Sequence, residues 1–161
     1  MRGANHFLRL IMLGASLALA AVAPTFAADL KSPDSVKMGL RILAGVYGDM
    51  DRKLAADQYD RLPHENQEFQ EGSGALRDAV ANESADFKAK VESTLRSALA
   101  ASTHVADVSA THDKKQVKSA LDNLATSLRA LNALFPDGLR AEPGTVAPGR
   151  QSGPNAPAKT P

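Results

Sequence analysis

Val117, Leu121, Leu124, Leu128, Leu131 and Phe135 recur at alternating steps of four and three. An α-helix turns once in about 3.6 residues, so this spacing lines all six along one side and leaves the other side to water. Such a stripe must be buried, and helices crossing at a shallow angle bury it best. The same rhythm runs upstream through Val36, Leu40, Leu43, Tyr47, Met50 and Leu54. It returns through Leu62, Phe69, Leu76 and Val80, and again through Phe87, Val91, Leu95, Ala98, Ala101 and Val105. No alternating run or Asn-Gly pair marks a strand or hairpin. The chain is therefore expected to be all-α.

Local signals divide the helices. Ser32 is placed to cap the first, with Pro33 at its first helical position and Asp34 beside the positive end of the helix dipole. Pro63 is expected to end that helix and start the second. Gly72-Ser73-Gly74 falls mid-way along the second helix and is expected to break it, since each glycine costs about 1 kcal/mol against alanine. Asn82 or Ser84 caps the third. Thr111 is expected to cap the fourth, which Pro136-Asp137-Gly138 stops. Short turns between four such segments predict an antiparallel up-down-up-down bundle over residues 28–136. Gly39, Gly45 and Gly48 are read as a tolerant, exposed face of the first helix, with close approach of a partner or a flat ligand as the alternative.

Both ends of the chain differ from the middle. Arg2 and Arg9 precede or flank an apolar run from Leu10 to Val22, and Thr25-Phe26-Ala27 places small residues before Ala28. Residues 1–27 thus read as a secretory signal peptide, too short in its apolar part to span a bilayer. The mature protein is expected in the periplasm or secreted, and not membrane-spanning after cleavage. From Pro136 onward lie six of the nine prolines and four of the eleven glycines. That composition buries little apolar surface, so residues 137–161 are expected to form a disordered tail.

Composition narrows the chemistry. Loss of Arg2 and Arg9 with the leader moves the formal charge from +1 to −1. The one basic cluster, Lys114, Lys115 and Lys118, lies beside Asp113 and Asp122 and reads as a solvated helix face. No nucleic-acid partner is expected. With no cysteine there is no disulfide, no thiol nucleophile and no covalent haem attachment. No H-E-x-x-H, G-x-S-x-G or phosphate-cradling loop is present, and no enzymatic activity is expected. Asp49/Lys53 and Asp57/Arg61 read as four-apart pairs on a helix surface.

The histidines carry the one candidate site. In an up-down bundle the first and third turns share an end, so His64, His104 and His112 are expected together there. Glu68, four residues after His64, would join them, and imidazoles with a carboxylate suit a divalent transition metal. Met50 falls on the apolar seam and reads as core filler, while Met38 lies about 120° away around the helix.

Ala28-Asp29-Leu30, Met38 and Phe69-Gln70-Glu71-Gly72-Ser73, set in this helix order, give an outline that resembles the exported four-helix cytochromes, the cytochrome c-prime group and its b-type relatives. The resemblance covers roughly residues 30–135 and implies the architecture alone. The C-x-x-C-H motif is absent, and the last helix has no histidine near its end to pair with Met38. Haem binding is not carried over. The expectation is an exported, non-enzymatic bundle that binds a protein or small ligand. A periplasmic metal-binding protein is the second reading, and a haem-less or non-covalent relative of the bundle cytochromes the third.

Overall fold

Each of the four stripes winds into a helix in the computed structural model, which describes residues 30–144. The helices are α1 (Pro33–Ala55), α2 (Leu62–Ala79), α3 (Ala85–Ser109) and α4 (Lys114–Asn132), with single 3-10 turns at Tyr59–Arg61 and Asp137–Leu139. The described residues contain no strand, and no described helix is long and apolar enough to cross a membrane. The expected leader, residues 1–27, lies outside the described residues, as do residues 145–161.

α1 packs on α2 and α4, and α3 packs on the same two helices. Across α1 and α2, Lys53 pairs with Glu65 at one level, and Gly39 lies against Leu76 at another. Across α2 and α3, Arg77 Nε meets Glu92 Oε2 at 2.8 Å, and Ser102 Oγ donates to Asn66 Oδ1 at 2.8 Å. Phe87, early in α3, meets Phe135 beyond α4 edge-on, with centroids 5.6 Å apart. The predicted seams of α1 and α4 are buried throughout, Met50 included. A continuous apolar core of this kind is the main stabilising element of a chain without disulfides.

Six details depart from the sequence reading. α1 stops at Ala55, well before Pro63, which sits inside the first turn of α2. Asp57 takes a left-handed φ of 55°, and Gln58 N donates to Lys53 O at 2.8 Å. That bond from one residue past the left-handed position closes the helix in the usual C-terminal manner. α2 runs unbroken through Gly72-Ser73-Gly74. A Cβ on Gly72 would lie 2.6 Å from Ile42 Cγ2, so the glycine is there to let α1 approach. Ser73 is buried and its hydroxyl donates to Phe69 O at 2.8 Å.

Gly39 and Gly48 are likewise buried, which overturns the reading of an exposed face for those two, whereas a Cβ on Gly45 would meet nothing within 4 Å. The expected cap of α4 also moves. Asp113 accepts from Lys115 N and Gln116 N at 2.9 and 3.1 Å, while Thr111 Oγ1 donates back to Val108 O at 2.8 Å. A carboxylate is the better acceptor for amides at a helix start. In α3 the seam position goes to fully buried Ser102, with Ala101 half-buried beside it.

The chain does not leave the bundle at Pro136. Asn132 Nδ2 donates to Ala141 O at 2.7 Å, and Asn132 Oδ1 accepts from Ala141 N at 3.3 Å. Arg140 Nε donates to Asn132 O and Phe135 O at 3.1 and 2.9 Å, satisfying carbonyls at the end of α4. Residues 137–144 therefore lie on the bundle, although composition alone assigned them to the tail.

Candidate functional site

Three segments converge where α1 gives way to α2 and α3 to α4. Asp57 follows α1, Tyr59 sits in the 3-10 turn, and His112 and Lys114 bracket the start of α4. Asp57 Oδ1 accepts from Tyr59 Oη at 3.1 Å and from Lys114 Nζ at 2.8 Å. The Tyr59 ring stacks on His112, with centroids 5.0 Å apart and planes 15° from parallel. His112 Nε2 lies 3.5 Å from Asp60 Oδ1.

The backbone of this cluster is unusual. Asp57 and His112 are the two non-glycine residues with positive φ among those described, at 55° and 54°. Each follows a helix end, where glycine is the commonest occupant because other residues pay for that conformation. Both side chains are used in the cluster, which a glycine would dissolve.

Electrostatics follow from these contacts. The Lys114 ammonium, with the Tyr59 hydroxyl, holds the Asp57 carboxyl below the usual carboxylate range, and Asp57 raises Lys114 in return. Asp113 is lowered by the Gln116 amide and side chain. Most of these groups are exposed, so water and salt screen them strongly.

The four sequence-predicted ligands do not form one set. His64 Nε2 lies 3.4 Å from Glu68 Oε1 on α2. His112 is paired separately with Asp60, and His104 is exposed on α3. Among the described residues no group of three or more His, Cys, Asp or Glu stands close enough to hold a metal ion. Met38 is 58 % exposed and makes no part of the core.

Sequence reasoning missed Asp57 and Tyr59 because it continued α1 to Pro63, which assigned Asp57 to a helix-surface pair with Arg61. It paired Asp49 with Lys53, whereas Asp49 meets Arg52 and Lys53 reaches Glu65. Glu65 itself is 2 % exposed, and its Oε2 has no hydrogen-bond partner among the described residues. Its place in the first turn of α2 favours the charge.

Beside the cluster, Asp51, Leu54, Ala55, Lys114 and Lys118 line a shallow cleft of about 200 Å³ between α1 and α4. The chain matches no protein-family model, no curated protein and no solved structure.

Proposed function

We propose that the protein is an exported, non-enzymatic helical-bundle module that binds a protein partner through the face formed by Asp57, Tyr59, His112 and Lys114. The observation that carries this reading is the Tyr59–His112 stack held by Asp57 and Lys114. An aromatic pair presented at the surface and fixed by hydrogen bonds has little side-chain entropy left to lose on binding. Tyrosine supplies both apolar area and a polar tip for such contacts. An up-down-up-down order of the helices underlies the reading, since it brings the two loops to one end. The Asp57–Lys114 pair and the Tyr59–His112 stack support that order. Export rests on the leader-like residues 1–27.

The metal reading ranks second. It has to draw on His64 with Glu68 and on His112 with Asp60 as separate pairs, each short of the three or four ligands of a stable zinc site.

A photoreactive residue at position 59 or 112 of the exported protein, activated in its native cells, tests the proposal. A discrete protein adduct from both positions, with none from exposed Arg96 on α3, is the expected result. Equal labelling from position 96, or no adduct from 59 and 112, would overturn it.

A further inference from the structure

Most of the charge around the Tyr59–His112 stack is already committed. Lys114 Nζ donates to Asp57 Oδ1 at 2.8 Å, and the Asp113 carboxylate accepts from the amides that open α4. Asp60 differs. Its side chain is 92 % exposed, and among the described residues its carboxylate meets only His112 Nε2, at 3.5 Å, too far for a good hydrogen bond. Arg61, its neighbour in the same 3-10 turn, does not pair with it among the described residues.

That carboxylate stands at the edge of two stacked rings. The Tyr59 and His112 planes are 15° from parallel with centroids 5.0 Å apart, so one face of the imidazole is covered. The His112 side chain is nevertheless 59 % exposed, which leaves its opposite face and the edge bearing Nε2 to solvent. Tyr59 Oη is anchored on Asp57, and Asp57 on Lys114. The open ring face is therefore held in place before anything binds it.

We propose that the partner brings an arginine to this face, its guanidinium lying on the outer face of His112 and pairing with Asp60. The inference rests on the reading of this face as a protein-binding surface and names the chemistry that the partner supplies. A guanidinium is flat, so it can stack on an aromatic face and offer N–H groups to a carboxylate at the same time. A lysine ammonium is compact and strongly hydrated; it can meet Asp60 but cannot cover the ring. An acidic partner would meet Asp60 at the rim, and Lys114 is not free to receive it because Asp57 holds that ammonium. Arginine is also among the side chains that most often anchor protein interfaces.

Capped tripeptides probe this in solution by nuclear magnetic resonance. Gly-Arg-Gly titrated into the full exported chain should shift the ring signals of Tyr59 and His112 saturably, at least about fivefold more tightly than Gly-Lys-Gly. Gly-citrulline-Gly, which keeps the plane and loses the charge, should have no effect. Asp60→Asn should weaken the arginine response at least about fivefold and leave the thermal midpoint in place, because the carboxylate is exposed. No shift with Gly-Arg-Gly, equal responses to arginine and lysine, or an arginine response unchanged by Asp60→Asn would each overturn the proposal. So would a response to Gly-Glu-Gly alone, which would assign the face to an acidic partner. The peptides read the ring face whether or not adducts form in cells. Missing adducts with an intact arginine response would sink only the protein-binding reading, and adducts without that response would sink only this inference.

Discussion

At Gly72 a methyl group in place of the hydrogen would lie 2.6 Å from Ile42 Cγ2, and at Gly39 3.1 Å from Leu76 Cα. At Gly45 and Gly74 the same methyl would meet nothing within 4 Å. Four glycines in two helices thus fall into two kinds, and alanine separates them. Gly45→Ala and Gly74→Ala should each raise stability by about 0.5–1 kcal/mol, the helix-propensity gain alone. Gly72→Ala should lose about 1–3 kcal/mol because the helices must part or Ile42 must leave its rotamer. Gly39→Ala should also destabilise, since part of what it meets is backbone. Denaturant midpoints of the four variants check this ordering. Sequence alone could not make the distinction, because a glycine that admits a neighbouring helix and one that merely weakens its own look identical until the neighbour is placed.

Between α1 and α2 the interface holds a buried charge as well as apolar contacts. Glu65 is enclosed and Lys53, 27 % exposed along its side chain, is its partner. Lys53→Met should cost roughly 3 kcal/mol, because it strands a buried carboxylate, whereas Lys53→Met with Glu65→Leu should recover most of that loss. Thermal or denaturant unfolding of the two variants measures the difference, and equal losses would mean the pair is not coupled. The helices themselves were legible because their stripes keep the 3.6-residue period over five or six turns in α1 and α4. α2 was harder to read. Its two glycines and Ser73 count against a helix by propensity, but tertiary contact with Ile42 and the Ser73–Phe69 hydrogen bond retain it. The cap of α4 was misassigned by two residues for a similar reason, since Thr111 and Asp113 both carry suitable oxygens and the side-chain geometry decides.

Across the whole molecule, the ion pairs set a pH range. Asp57, Asp113 and Glu92 are held below their usual values, chiefly by hydrogen bonds from Lys114, Gln116 and Arg77. A lowered carboxyl stabilises the fold above its unfolded pKa and loses that contribution as pH falls through the folded value. Lys114 and Lys118 are raised by Asp57 and Asp122, and Tyr47 is raised by burial and then by Asp51. Raised groups contribute below their unfolded pKa and lose the contribution as pH rises past it. The thermal midpoint should therefore be level between about pH 5 and pH 9 and fall on both sides, with a shallower acid limb in high salt. The polar face at the two loops was only half visible in the sequence. Topology put His64, His104 and His112 forward, whereas the cluster that forms is built on Asp57 and Tyr59, whose roles depend on where α1 ends. The whole functional reading needs the α1–α2 and α3–α4 connections at one end. Spin labels at Gln58→Cys and Ala110→Cys in the cysteine-free chain measure this directly by dipolar spectroscopy. That pair should lie under about 20 Å apart, against roughly 30 Å for Gln58→Cys with Glu83→Cys, which are a helix length apart. The reverse order of distances would contradict that reading.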